Sequence, residues 1–258
     1  MQGILYVSHG SRIGEATTEA VSCIESVIRQ VNFPLQEICF LELAAPTVGQ
    51  GIKNLVNQGA SKISVIPVLL LSAGHYYKDI PDEIRKAKSE YPEIEFTYGK
   101  PLGVQDRFID ILIERMEETA TPVNLDAKIL LVGRGSRNPD TIMDIKSIGR
   151  KLERKTGLKQ VDICFLAACN PSFDEGLQAS LEEKHSQVFV MPYLWFTGVL
   201  MRSIKKKIDA LKVSDKQIIC CNQLGGHAGM IQALQERVYE SIHNHVDFAA
   251  PTRKSERV

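Results

Sequence analysis

Nine residues near the start of the chain, Ile4-Leu5-Tyr6-Val7-Ser8-His9-Gly10-Ser11-Arg12, return 125 positions later as Ile129-Leu130-Leu131-Val132-Gly133-Arg134-Gly135-Ser136-Arg137. The same offset carries Ile38-Cys39-Phe40-Leu41 onto Ile163-Cys164-Phe165-Leu166. It also carries Pro46, Gly51, Val65 and Pro67 onto Pro171, Gly176, Val190 and Pro192. Unrelated short apolar words do not hold one register over that distance, so the chain is a tandem duplication of one domain. With a small loop deletion, Leu112 and Arg115 align with Leu234 and Arg237. The spacing predicts an N-terminal domain over 1–120, a C-terminal domain over 127–246 and a flexible tail over 247–258, with the stretch Thr119 to Asp126 as linker.

Within the first repeat, apolar runs alternate with amphipathic stretches. Residues 3–8, 36–43, 62–71 and about 94–98 read as strands. Ala20, Val21, Ile24, Val27, Ile28 and Val31 recur at helical spacing, and helices are also expected at about 79–90 and 104–118. Pro46 suits the first turn of the helix after strand two, and Gly59 its end. Strands separated by helices, without hairpin turns, imply an α/β fold of Rossmann-like type with a parallel sheet in each half and helices on both faces. In such sheets ligands bind beyond the carboxyl ends of the strands, and the two halves are expected to enclose a cleft there.

Comparing the repeats separates what the fold needs from what chemistry needs. His9 becomes Arg134, Glu42 becomes Ala167 and His75 becomes Leu200. All three first-half residues follow strand ends, so they can converge on one mouth. Two imidazoles and a carboxylate make an open site for a divalent transition metal, and neutral imidazole can also accept protons near pH 7. Glu42 has two structural alternatives, capping the following helix or pairing with a cation. His185, His243 and His245 read as solvated. His227, in Leu224-Gly225-Gly226-His227, reads as a loop residue that could also face a cleft.

Bulk properties exclude several classes. The 31 basic and 31 acidic residues cancel, so no global field favours nucleic acid or an anionic membrane. The longest apolar stretch, Ile63 to Ala73, is too short to span a bilayer, and no signal sequence opens the chain, so a cytoplasmic protein is expected. The six cysteines form no C-x-x-C pair and read as reduced thiols. Gly133-Arg134-Gly135-Ser136-Arg137 has Asn138 where a dinucleotide fingerprint ends in glycine, and a P-loop is absent. That turn instead offers backbone donors with Arg134 and Arg137 to carboxylates. Lys205-Lys206-Lys207 reads as an exposed helix face.

Ser8-His9-Gly10-Ser11-Arg12, taken with Leu71-Ser72-Ala73-Gly74-His75-Tyr76-Tyr77-Lys78-Asp79-Ile80-Pro81, resembles the signature of the CbiX/SirB class of ATP-independent tetrapyrrole chelatases. The resemblance covers nearly the whole chain, its duplicated plan included. It implies a lyase that inserts ferrous iron, or cobalt in relatives, into sirohydrochlorin, with no cofactor beyond that substrate metal. Carried over, His9 and His75 are metal ligands and proton acceptors, and Glu42 is the supporting carboxylate. Ser11, Arg12 and Tyr76 in the first half, with Arg134, Ser136 and Arg137 in the second, are expected to hold the macrocycle. Leu194, Trp195 and Phe196 either cover the ring or belong to a core strand. The expected partners are sirohydrochlorin and a divalent metal, and a monomer is expected because both domains share one chain. The rival classes are a non-catalytic metal or tetrapyrrole carrier, which would need the same ligands, and a nucleotide enzyme, which would need the missing phosphate loop.

Overall fold

The computed structural model describes residues 1–211, 216–243 and 248–251. Eight strands form two parallel four-stranded sheets. The first contains β1 (Gln2–Ser8), β2 (Leu35–Phe40), β3 (Lys62–Pro67) and β4 (Glu95–Tyr98), in the order β2-β1-β3-β4. The second contains β5 (Lys128–Gly133), β6 (Val161–Phe165), β7 (Gln187–Tyr193) and β8 (Gln217–Cys220), in the order β6-β5-β7-β8. The register of β1 repeats in β5: Ser8 lies beside Phe40 as Gly133 lies beside Phe165. In each sheet the winding reverses at the first strand, so the loops after the first three strands of each meet at a topological switch point.

The chain divides into two compact units, and their limits cut across the sequence repeats. Unit 1 is Met1–Gly103 with the residues from Met230 onward, and unit 2 is Val104–Gly229. Helix α4 (Asp106–Glu117), which ends the first repeat, therefore packs in unit 2. Helix α8 (Ala228–His243), which ends the second, packs in unit 1. The aligned arginines explain how. Arg115 Nε and Nη2 donate to the carbonyls of Gln223 and Leu224 at 2.9 and 2.8 Å, beyond β8. Arg237 Nε and Nη2 donate to Pro101 and Leu102 at 3.0 Å each, beyond β4. One guanidinium fork thus fastens each of these helices to backbone carbonyls beyond a strand end.

In unit 1, helices α2 (Val48–Asn57) and α3 (Ile80–Glu90) cover one sheet face, burying Val48, Ile52, Leu55, Ile80 and Ile84 against Leu5, Val7, Ile63, Val65 and Phe96. Each such aliphatic or aromatic side chain contributes on the order of 1.5–3 kcal/mol. Side chains alternate along a strand, so Tyr6 and Thr97 point to the opposite face. There Tyr6 Oη donates to Gln36, whose amide closes the end of α1 (Gly14–Ile28) on the carbonyls of Ile28 and Val31. Thr97 Oγ1 pairs with Ser241 of α8 at 3.2 Å. Unit 2 repeats the plan: α6 (Phe173–Glu182) and α7 (Val199–Asp209) bury Phe173, Leu177, Met201 and Ile204 against Leu130, Val132 and Val190. Helix α5 (Pro139–Thr156) packs with α4, joined by Lys151 to Asp106 at 2.6 Å.

Local details depart from the sequence pattern. Pro46 lies outside α2; Thr47 is the N-cap and forms a reciprocal capping box with Gln50, repeated by Ser172 and Glu175 before α6. The extended run after β3 stops pairing at Pro67, and a π-helical turn, His75–Asp79, precedes α3. The tail is partly docked. Phe248 donates its amide to Phe96 at 2.7 Å and sets its ring edge-on to Tyr98, with centroids 6.0 Å apart. Asp247 and residues 252–258, for which a flexible tail is expected, lie outside the described residues. All six cysteines are free thiols.

Replacing Arg237 with Ala removes its two hydrogen bonds to the Pro101 and Leu102 carbonyls and its pair with Glu240, a cost of about 2 kcal/mol. The thermal midpoint should fall by several degrees, by about 2–4 °C per kcal/mol for a chain of this size. Calorimetry of Arg237→Ala beside Arg154→Ala, an exposed helix position, measures it.

Candidate metal centre

The three polar residues that lack counterparts in the second repeat come together in unit 1. β1 ends at Ser8, and the chain then turns at Gly10 with φ of +89°. In that turn the Leu41 amide donates to the Ser8 carbonyl at 2.9 Å, and the Glu42 amide to the His9 carbonyl at 3.1 Å. A Cβ on Gly10 would stand 1.8 Å from the Glu42 carbonyl oxygen, so both the backbone conformation and the close approach require glycine. The backbones after β1 and β2 are thereby laid side by side, and His9 Nε2 lies 3.1 Å from Glu42 Oε1. Thr47, not Glu42, caps α2, which leaves the Glu42 carboxylate to the site.

His75 enters from the loop after β3, at the head of the π-helical turn. Single π turns inside helices are frequent at functional sites. The Tyr98 hydroxyl donates to the Tyr76 carbonyl at 3.0 Å and steadies this turn. The imidazoles of His9 and His75 stand edge to face, with centroids 4.7 Å apart and planes at 82°. One ligand atom from each of His9, Glu42 and His75 lies within 4.8 Å of the others. With metal bonds of about 2 Å, small side-chain adjustments bring all three onto one ion.

His9 Nδ1 lies 3.0 Å from the Gly10 carbonyl oxygen, which only accepts, while Nε2 faces the Glu42 carboxylate. With Nδ1 donating to that carbonyl in the neutral ring, Nε2 carries the lone pair on the side of Glu42. His75 Nδ1 is 2.7 Å from Asp79 Oδ2, a contact that the sequence pattern left unread although Asp79 stands four residues beyond His75.

The remaining expected site residues are placed as follows. Ser11 Oγ accepts from the Ile13 amide at 3.0 Å and Ser136 Oγ from the Asn138 amide at 3.1 Å, so both hydroxyls shape turns. Arg12, Arg134 and Arg137 are exposed. Tyr76, expected to cover the macrocycle, is buried instead: its ring stacks on Tyr98 at 5.1 Å, and burial pushes its hydroxyl up to about 12. It supports the π turn from within the core. Leu194 and Trp195 are buried in unit 2, with Phe196 stacked on Trp195 at 5.0 Å. His227 pairs with Glu114 at 2.8 Å, His185 with Glu183 at 3.3 Å, and His243 with the Tyr239 carbonyl; His245 lies outside the described residues. The three consecutive lysines are exposed on α7.

Unit 2 reproduces the scaffold without the ligands. Gly135 turns at φ +86°, its Cβ position 1.8 Å from the Ala167 carbonyl oxygen, and the Leu166 amide donates to Gly133 at 3.0 Å. Leu200, in the place of His75, lies in the first turn of α7 and packs against the apolar core of that sheet.

Residues 3–119 and 128–241 each match the CbiX family. The chain is 44% identical over 238 residues to the sirohydrochlorin ferrochelatase of Priestia megaterium, covering 92% of this chain and 90% of that one. It is 34% identical over 258 residues to the sirohydrochlorin cobaltochelatase of the same organism, covering 98% and 84%. Among solved structures, that of SirB from Bacillus subtilis with Fe3+ superposes with a TM-score of 0.86 at 37% identity, covering 96% of this chain and 99% of that one.

The glycine turns supply a controlled test of the centre. Gly10→Ala should push the Glu42 loop off His9 and weaken cobalt(II) binding at least tenfold, whereas Gly135→Ala, with the same clash in unit 2, should lower stability and leave cobalt affinity unchanged. Cobalt titration followed by absorbance, with thermal melts of both variants, separates the two effects.

Proposed function

Because the chain belongs to the CbiX family, we propose that it is a sirohydrochlorin ferrochelatase, inserting ferrous iron into the macrocycle to form sirohaem without ATP. The observation that carries the reading is the convergence of His9, Glu42 and His75 on one open site in unit 1, at positions the second repeat has lost. Metalation exchanges two pyrrole protons for a divalent cation, so the enzyme must present the metal, accept protons and hold a carboxylate-rich ring. His9 and His75 bind the incoming ion through neutral imidazole nitrogens, with Glu42 balancing its charge. Three protein ligands leave coordination positions open to pyrrole nitrogens. As the ion passes to the ring, each vacated ligand becomes a base: an imidazole takes one pyrrole proton, and the Glu42 carboxylate assists removal of the second.

Arg134 and Arg137, with the Ser136 turn in unit 2, and Arg12 with Ser11 in unit 1, are assigned to the carboxylates of the macrocycle, which arginine can grip in bidentate fashion. The chain acts as a monomer, and its six free thiols suit the cytoplasm. Cobalt insertion is the second reading, favoured by the cobaltochelatase relative; its lower identity than the ferrochelatase relative places iron first.

The deciding experiment is a metal-insertion assay with sirohydrochlorin and no ATP, comparing ferrous iron, cobalt and nickel. Iron should give the fastest insertion. A rate no higher than in buffer would identify a carrier. His9→Ala and His75→Ala should nearly abolish insertion in a folded protein, with Glu42→Gln less impaired. Arg134→Ala and Arg137→Ala should each weaken sirohydrochlorin binding about tenfold, the size of one exposed charged hydrogen bond, while cobalt binding is kept. Loss of metal affinity with retained tetrapyrrole affinity in the arginine variants would overturn this division of roles.

A further inference from the structure

We infer that Asp79 is a positioning residue of the metal centre: its carboxylate fixes the tautomer and aim of His75, so that Nε2 presents a lone pair to the incoming metal. The inference rests on the metal-binding role proposed above for His75.

His75 Nδ1 lies 2.7 Å from Asp79 Oδ2, one turn along the same π-helical segment. A carboxylate in this place accepts from Nδ1, so that in the neutral imidazole Nδ1 carries the proton and Nε2 the lone pair. Asp79 itself lies outside the group of His9, Glu42 and His75 whose ligand atoms are mutually within 4.8 Å among the described residues, which sets it behind the imidazole. Metal-binding histidines characteristically donate their other ring N–H to such a partner, which orients the ring and raises its basicity.

Neighbouring charges leave this carboxylate to His75. Lys78, adjacent in sequence, extends instead to Asp82 at 2.8 Å, and Arg85 binds the other oxygen of Asp82. Two cations are thus drawn to Asp82. The backbone carrying the pair is restrained from the core side: the Tyr98 hydroxyl holds the Tyr76 carbonyl, and the Ile80 amide closes the π turn on the His75 carbonyl. The pair His9 and Gly10 is the counterpart, since there a backbone carbonyl occupies Nδ1 and Nε2 again faces the centre. The two histidines therefore present the same nitrogen, one set by a carbonyl and the other by a side chain that can be mutated.

The test uses the full chain, with cobalt(II) alone as the probe. Asp79→Ala should weaken cobalt binding about 10- to 100-fold and raise KM for the metal, with KM for sirohydrochlorin unchanged. Asp79→Glu, which keeps the carboxylate, should recover most of the affinity. Nitrogen-15 correlation spectra of the imidazoles should show His75 as the Nδ1–H tautomer in the parent and a shift toward Nε2–H in Asp79→Ala. Circular dichroism of the variants should match the parent. If Asp79→Ala binds cobalt as tightly as the parent while His75→Ala does not, Asp79 has no positioning role and the metal centre stands. If His75→Ala also keeps full affinity, the metal-binding reading itself fails. An unchanged His75 tautomer in Asp79→Ala would equally overturn the inference.

Discussion

The cluster of His9, Glu42 and His75 depends on two backbones that touch. Where the turn after β1 meets the loop after β2, the amides of Leu41 and Glu42 bond to the carbonyls of Ser8 and His9, and the α-carbon of Gly10 sits where no side chain fits. Each of these hydrogen bonds contributes only about 1 kcal/mol to stability. Their larger effect is geometric, because consecutive residues His9 and Gly10 and the opposing Glu42 are fixed before any metal arrives. The third ligand then needs only the loop after β3, the strand that flanks β1 on its other side. A parallel sheet with its switch point at the first strand thus brings three loop residues to one point without a dedicated binding element.

Much of this was legible in sequence because duplication supplies an internal reference. The apolar strand words and the loss of His9, Glu42 and His75 in the second copy are differences and identities along one chain, needing no partner for comparison. The exchange of α4 and α8 was not legible in the same way. A helix at the end of a repeat has the same amphipathic pattern whichever core it covers. Its only sequence trace is the aligned pair Arg115 and Arg237, whose forks fasten to carbonyls in the opposite repeat. Pro46 misled through a statistical preference for helix starts, where Thr47 and Gln50 supplied a stronger, reciprocal cap. Tyr76 misled because an aromatic beside a metal-binding histidine suits a ring-shaped ligand equally well on paper; the π turn, too short to leave a periodic signal, rotates it into the core against Tyr98.

The second unit shows which parts of the architecture are indifferent to chemistry. The left-handed glycine, the strand-end hydrogen bonds, the capping box before the second helix and the positive φ of Leu43 and Ala168 occur in both units. Backbone conformations that side chains rarely adopt are often taken as marks of function. Here the same strained loop persists in unit 2, where Arg134, Ala167 and Leu200 stand in place of His9, Glu42 and His75, so the strain belongs to the way β1 and β2 terminate. Chemistry resides in the side chains placed on that scaffold.

Exposure sets what such a centre can do. The side chains of His9, Glu42 and His75 are 31%, 50% and 23% exposed, whereas structural metal sites are closed by four protein ligands and contribute folding energy outright. The carboxylate is half-exposed on its loop, and both imidazoles keep part of their surface open to solvent. The two apolar cores are built on the sheets, apart from these loop residues. A cluster this exposed differs from a closed structural metal site, and its accessibility is what the proposed transfer of an ion to a macrocycle requires.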